Sequence, residues 1–315
     1  MHDPQTGATA PPAPAPARAV GIVGLGAMGM GIARTLLRKG FEVHACDLRE
    51  AARDAIAQAG ARVHESPAQV AAQVAVLMVV VVDAAQTEAV LFGPGQAAAA
   101  LAPGSVVIAS STVAPDAAER LGARLAEAGL RMIDAPLSGG AARAATGELT
   151  LMASGEPSAF DAAADVLAAI AARVYRLGDA PGNGSKVKMI NQLLAGVHIA
   201  AATEAMALGI RAGIDPAQLY EVISNSAGAS WMFQNRVPHI LAGDYTPLSA
   251  VDIFVKDLGI VLDSARRLTF PLPLASAAHQ MYLATSASGL GKEDDSAVIK
   301  MFQRLTGIDL PQPAP

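Results

Sequence analysis

Three stretches of this 315-residue chain combine side chains that can bind or react. The run Gly24-Leu-Gly-Ala-Met-Gly29 is a G-x-G-x-x-G motif lying between an apolar run and a helical pattern. Gly24 allows the tight turn, Gly26 lets a pyrophosphate approach the backbone, and Gly29 lets the following helix pack closely. Leu25, Ala27 and Met28 complete the loop, and the helix N-terminus offers free N–H groups to the phosphates. Asp47 lies 21 residues beyond Gly26, at the end of the next apolar run. That spacing suits a carboxylate that accepts hydrogen bonds from the adenosine ribose and repels a 2′-phosphate, which favours NAD over NADP. Arg49 is a cation within reach of such a phosphate and works against that preference.

The second stretch, Asp134-Ala-Pro-Leu-Ser-Gly-Gly140, follows a run that reads as a strand. Ligands of open α/β sheets sit beyond the carboxyl ends of strands. There the Ser138 hydroxyl and the N–H groups of Gly139 and Gly140 can cradle a substrate carboxylate. The third, Gly184-Ser-Lys-Val-Lys-Met-Ile-Asn-Gln192, opens a long helical pattern. Lys188, Asn191 and Gln192 are spaced i, i+3 and i+4 and share one helix face, whereas Lys186 points elsewhere. Oxidising an alcohol requires a base for the hydroxyl proton. Lys188 can serve once its surroundings bring its pKa from about 10.4 toward neutrality. Asn191 and Gln192 are then placed to orient it and the substrate.

Other polar groups leave two readings open. Lys256 and Asp257 interrupt an apolar helical pattern, so either they pair at the surface or one enters the cleft. Asp83 and Ser110-Ser-Thr112 follow two further strand-like runs and line the same crevice, with capping of the next helix as the alternative for the Ser and Thr residues. Trp231, Phe233 and His198 stand among apolar residues and read as core, and Cys46 as a small buried filler.

The elements that must position these groups alternate. Strands are predicted at 19–23, 42–46, 74–82, 105–109, 131–134, 149–153 and 174–177, with helices between them, the pattern of βαβ units and a parallel sheet. The nine apolar residues of 74–82 suit a strand buried on both faces. Turn formers cluster at 179–184, and beyond them only helical patterns follow, beginning with 186–212. The division predicted is an α/β, Rossmann-type NAD-binding domain over 19–181 and an all-α substrate and oligomerisation domain over 182–310. Residues 1–18 and 311–315 read as Pro/Ala-rich tails.

Composition narrows the partners. The chain is 52% apolar and 16% charged, with a mean hydropathy of +0.36, yet it contains no run of about 18 apolar residues. A net charge of −5 without a basic cluster argues against nucleic acid and acidic membranes as partners. A single cysteine without Cys or His at metal spacing supports neither a disulfide nor a zinc site, and points to a reducing, cytoplasmic setting. With aromatics only 4% of residues, the high hydropathy comes from Ala-rich helices and Val-rich strands. The surplus apolar surface of the helical half predicts a subunit interface built by that half.

Four ordered blocks, Gly24-Leu-Gly-Ala-Met-Gly29, Asp134-Ala-Pro-Leu-Ser-Gly-Gly140, Lys188-Met-Ile-Asn-Gln192 and Lys256-Asp-Leu258, resemble the β-hydroxyacid dehydrogenase family over residues 19 to 305. Leu137 stands where Val is usual, and Gln192 where many members have a second Asn. The resemblance implies a nicotinamide dinucleotide cofactor, a small hydroxy-acid substrate, an essential lysine at Lys188, a substrate loop at Ser138, Gly139 and Gly140, and an amide at Asn191. It further implies a nicotinamide-side hydroxyl residue at Thr112, a second cleft lysine at Lys256, and a helical domain that builds a homo-dimer or homo-tetramer. The polar residues Ser230, Gln234, Asn235 and Arg236 suit a four-carbon polyhydroxy acid within that family. The contrasting reading is a non-catalytic dinucleotide-binding module.

Overall fold

The computed structural model describes residues 18–313. Most of the predicted N-terminal tail, and residues 314–315, lie outside the described residues. Six parallel strands, β1 (Ala19–Val23), β2 (Glu42–Cys46), β3 (Arg62–Val63), β4 (Val76–Val79), β5 (Val106–Ala109) and β6 (Arg131–Asp134), form one sheet in the order β3-β2-β1-β4-β5-β6. The strand order reverses between β1 and β4, which opens a crevice at their carboxyl ends.

The apolar runs are strands because both faces of the sheet are covered. Val20, Ile22, Val76, Met78, Val106 and Ile108 face helix Ala27–Arg38 on one side. Val23, Leu77, Val79, Val107 and Ala109 face Leu121 and Leu125 of helix Pro115–Glu127 on the other. The run expected to be a strand over 74–82 is one only from Val76 to Val79; beyond it the chain turns out into the crevice and Val82 is 46% exposed.

A difference from expectation lies in the last strands. β7 (Leu137–Ser138), β8 (Leu149–Ala153) and β9 (Ala171–Arg176) form a separate small sheet, antiparallel between β7 and β8 and parallel between β8 and β9. It joins the main sheet through a bridge between Asp134 and Ser154. β3 and β7 have two residues each, too few to show an alternation of apolar and polar positions.

Beyond β9 the described chain is helical. Helix Asn183–Arg211 has 29 residues and a length of about 43 Å. It is apolar and long enough to cross a membrane by composition, yet half of that apolar window is buried inside the protein. It carries the helical core, meeting Val251, Phe254 and Leu258 of helix Val251–Arg267 and Tyr282 of helix Pro273–Thr285. Gly196 makes the approach possible: a Cβ there would stand 3.0 Å from Leu258, and the Tyr282 hydroxyl donates to the Gly196 carbonyl at 3.1 Å. Ile308 and Leu310, at the end of the helical region, are buried; in the segment expected to be a tail, Pro311 is half-buried and Gln312 and Pro313 are exposed, with the Pro313 nitrogen 2.6 Å from where a Cβ on Gly243 would stand.

The start of the long helix is fixed by residues of the other region. Its cap position, Gly182, has φ +117° and no side chain, so the first-turn N–H groups find partners elsewhere. Asp134 Oδ2 accepts the Gly182 N–H at 3.0 Å and the Ser185 N–H at 2.8 Å, while Oδ1 accepts the Ser185 hydroxyl at 2.8 Å. Ser154 Oγ accepts the Gly184 N–H at 3.0 Å. A side chain on Gly184 would meet the Asp134 carbonyl oxygen at 2.5 Å. Asp134 is 1% exposed, so its loss would leave buried donors without partners. Asp134→Ala is expected to cost at least about 3 kcal/mol, a fall of about 6–12 °C in thermal midpoint, and Asp134→Asn less. Calorimetry of the three proteins measures this; an unchanged midpoint in Asp134→Ala would show that the junction does not depend on this carboxylate.

Candidate active site

The glycine loop leaves β1 and enters helix Ala27–Arg38, and its glycines serve different ends. At Gly24, with φ +97°, a Cβ would collide with the Val80 carbonyl, and at Gly29 it would collide with the Gly24 carbonyl. Those two positions are glycine because the protein leaves no room. Gly26 is the reverse: nothing lies within 4 Å of its Cβ position, and the residue is exposed at the uncapped start of the helix. Open space beside free N–H groups at a helix N-terminus fits a pyrophosphate, with Gly26, Ala27 and Met28 as its cradle.

Asp47 stands beside this loop with both oxygens engaged. Oδ2 accepts the Leu25 N–H at 2.6 Å; Oδ1 accepts the Arg49 N–H at 2.8 Å and the Arg49 Nε at 3.1 Å. Burial pushes its pKa up, but the Arg49 hydrogen bonds and charge outweigh that and hold the carboxyl below its ordinary value. Arg49 also donates to the Leu25 carbonyl at 2.9 Å, so its guanidinium lies on the rim of the ribose position. Asp83 caps helix Ala84–Leu91 by accepting the Gln86 N–H at 2.8 Å, while Gln86 Oε1 accepts the Val82 N–H. Its carboxylate therefore caps this helix, a role the sequence reading did not assign to it.

Across the crevice, the long helix supplies Lys188. Its Nζ donates to the Leu137 carbonyl at 2.8 Å, one residue before Ser138, so the amine is held against the Ser138-Gly139-Gly140 loop. Gly139 and Gly140 have φ of +131° and +71°, which favour glycine, and nothing lies within 4 Å of the Gly140 Cβ position. Burial pulls the Lys188 pKa down, Asp257 pulls it up and Lys256 pulls it down again, for a net value of about 8. Lys186 points to the surface, 3.0 Å from Glu119.

The Lys256 and Asp257 alternatives resolve together. Asp257 is buried and accepts Lys256 Nζ at 2.6 Å on Oδ1 and Gln192 Nε2 at 2.5 Å on Oδ2. Lys256 also donates to the Thr112 carbonyl at 3.0 Å, tying the helical region to the loop after β5. Asn191 Nδ2 completes the chain by donating to Gln192 Oε1 at 3.0 Å. In that same loop, Ser111 Oγ accepts the Thr87 hydroxyl at 2.9 Å, and the buried Ser110 hydroxyl has no partner. Asp134 is a residue that sequence reasoning left without a role, and for Asp257 it foresaw the pair with Lys256 but not the bond to Gln192. The only sequence signal for either is a carboxylate inside an apolar stretch.

The four polar residues expected to serve substrate hydroxyls have structural partners instead. Ser230 caps helix Trp231–Ala242 through the Phe233 N–H at 3.0 Å, and Gln234 Nε2 donates to the Ser224 carbonyl at 3.1 Å. Arg236 donates to Asn235 Oδ1 and forms a buried two-point ion pair with Asp295, at 2.5 and 3.1 Å. Of the three residues expected in the core, Phe233 is buried, His198 is half-buried and Trp231 is 53% exposed.

The three glycines offer a separable test. Gly26→Val is expected to leave the thermal midpoint within about 2 °C of wild type and to weaken NADH binding by at least about tenfold, because the new side chain occupies only ligand space. Gly29→Ala should instead destabilise the fold. NADH fluorescence titration with calorimetry reads both; intact NADH binding by Gly26→Val would remove the cradle assignment.

Similar proteins agree with this layout. A family model described as the NAD binding domain of 6-phosphogluconate dehydrogenase matches residues 19–178. A second, the NAD-binding domain of NADP-dependent 3-hydroxyisobutyrate dehydrogenase, matches residues 182–302. The chain is 65% identical over 294 residues to L-threonate dehydrogenase of Cupriavidus necator, covering 93% of this chain and 98% of that one. It is 32% identical over 291 residues to mitochondrial 3-hydroxyisobutyrate dehydrogenase of Rattus norvegicus, covering 90% of this chain and 87% of that one. A crystal structure titled 3-hydroxyisobutyrate dehydrogenase, from Salmonella typhimurium, superposes with a TM-score of 0.86 at 53% identity, covering 90% of this chain and 99% of that one. Structures with TM-scores of 0.83 and 0.58 carry NADP+ and NAD+. With two dehydrogenase domain models in tandem and relatives of this identity over nearly the whole chain, the protein belongs to the β-hydroxyacid dehydrogenases and is a nicotinamide-dinucleotide-dependent oxidoreductase of hydroxy acids.

Proposed function

We propose that this dehydrogenase oxidises L-threonate at C2 to 2-dehydro-L-erythronate, with NAD as the acceptor. The relatives named for that activity support the substrate. The observation that carries the mechanism is Lys188: buried, held on the Leu137 carbonyl, and with a pKa lowered to about 8. The bound dinucleotide supplies hydride chemistry. The chain's residues do the rest. N–H groups of Gly139 and Gly140, with the Ser138 hydroxyl, hold the substrate carboxylate. Neutral Lys188 takes the hydroxyl proton as hydride leaves the carbon, and Asn191 orients the substrate. Asp47 faces the ribose side and favours NAD, with Asp83 at the crevice rim. Thr112 and Lys256 bound the nicotinamide end of the crevice.

The proton balance sets the pH dependence. Oxidation consumes the neutral amine, so its kcat/KM should rise with pH through about 8, while the reverse reduction consumes the ammonium form and should fall through the same value. Lys188→Ala should lower kcat by about 100- to 10,000-fold while NADH still binds. Turnover within a few-fold of wild type would show that another group is the base. Comparing kcat/KM for L-threonate, D-glycerate and 3-hydroxyisobutyrate tests the substrate, and the last two are the alternatives within the family. Failure of hydride transfer with every hydroxy acid, despite NAD binding, would favour the non-catalytic module.

We also propose a cytoplasmic homo-oligomer that does not bind nucleic acid or membranes. Val187, Ile190, Leu194 and Leu208, on one side of the long helix, are 41%, 52%, 50% and 69% exposed. An apolar stripe of this kind on a central helix suits a second copy of the same helix. Light scattering should give at least twice the 31.9 kDa chain mass, and a monomer would refute it.

A further inference from the structure

The buried polar chain next to Lys188 has one member without a part in the proton transfer. Gln192 is 8% exposed and lies one helical turn after Lys188 on the same face. Both ends of its amide are used: Oε1 accepts Asn191 Nδ2 at 3.0 Å, and Nε2 donates to Asp257 Oδ2 at 2.5 Å. These two bonds fix the orientation of the amide between Asn191 and Asp257. Asp257, 2% exposed, is held from two sides, by Gln192 on Oδ2 and by Lys256 Nζ at 2.6 Å on Oδ1.

The groups whose charges act on Lys188 come from helix Val251–Arg267: Asp257 favours the ammonium form and Lys256 opposes it. From β7 the Leu137 carbonyl accepts the Lys188 hydrogen bond at 2.8 Å. Asp257 is hydrogen-bonded to the residue one helical turn from Lys188, and its charge reaches the buried amine; turned toward that amine, it would pair with it and keep it protonated. A protonated Lys188 cannot take a proton.

We propose that Gln192 is a positioning residue that acts through Asp257: its amide occupies Oδ2 and keeps this carboxylate from pairing with Lys188, so that the amine stays available as a proton acceptor. This rests on the reading of Lys188 as the base. Without the amide, Asp257 Oδ2 becomes a buried acceptor lacking a partner, and turning toward Lys188 is the way to satisfy it.

Gln192→Met keeps the side-chain length and removes the donor. In the intact oligomeric enzyme it should move the rise of kcat/KM for hydroxy-acid oxidation upward by about 1 pH unit from its wild-type position, leaving the high-pH plateau within a few-fold. Acetylation of Lys188 by acetic anhydride against pH, followed by peptide mass spectrometry on the cofactor-free protein, should show the same displacement without relying on turnover. In an Asp257→Asn background, Gln192→Met should move nothing further. A folded Gln192→Met protein whose profile is unmoved or shifted downward overturns the proposal, as does a shift that persists with Asp257→Asn. So does a rise in KM alone, which would make Gln192 a substrate ligand. A wild-type profile with no ionisation near 8 would instead overturn Lys188 as the base, so the two failures are distinguishable.

Discussion

A single buried carboxylate holds the two regions in one arrangement. Asp134 ends the last strand of the parallel sheet, and its oxygens accept the first-turn N–H groups of the helix that runs through the other region. A helix start with glycine at its cap has nothing of its own to satisfy those donors, and burying them unpaired would cost several kcal/mol. The helix is therefore anchored where Asp134 is. Lys188 lies one turn inside that anchored end, so the same constraint that joins the domains also sets where the reactive amine sits. The Leu137 carbonyl that receives the amine follows Asp134 by three residues in the same motif. The positions of Lys188 and of the loop it touches are thus both set from one residue.

The second organising feature is electrostatic. Desolvation alone would push Lys188 far toward the neutral form, and the neighbouring Asp257 would push it back. The balance depends on what else holds Asp257. Lys256 and Gln192 take one oxygen each, and Lys256 extends the contact to the Thr112 carbonyl on the sheet side of the crevice. Five residues from both regions, Asn191, Gln192, Asp257, Lys256 and Thr112, are thus joined in one hydrogen-bonded chain.

The cofactor end follows a different physics. Two of its glycines are required by the protein's own close contacts and one by the open space beside it. Asp47 and Arg49 bind each other at the rim, so a dinucleotide meets a carboxylate already neutralised in part, with the guanidinium within reach of whatever group the ribose carries. The features that select a cofactor and those that move a proton belong to opposite walls of one crevice, joined at Asp134.

Much of this was legible in sequence where a pattern is local. The βα turn at Gly24 to Gly29 needs only glycines at fixed offsets. The shared face of Lys188, Asn191 and Gln192 follows from helical periodicity, and the buried strands follow from their apolar runs. Strand lengths were less legible: β3 and β7 are too short to carry a period, and the run at 74–82 leaves the sheet where flanking helices no longer cover it. What tertiary structure alone decided is the partner of each buried charge. Arg236, polar and near an exposed turn in sequence, is paired with Asp295, 59 residues away, and not with substrate. Asp257 and Asp134 stand in sequence as carboxylates inside apolar stretches, and their donors, 65 and 48 residues distant, meet them only on folding. Periodicity and turn chemistry act between neighbours along the chain, so the sequence by itself determined the elements, their class and the reactive faces. Desolvation and hydrogen bonding of a buried charge depend on groups the chain brings together only on folding, and so the partners of Lys188, Asp134 and Arg236 were decided there.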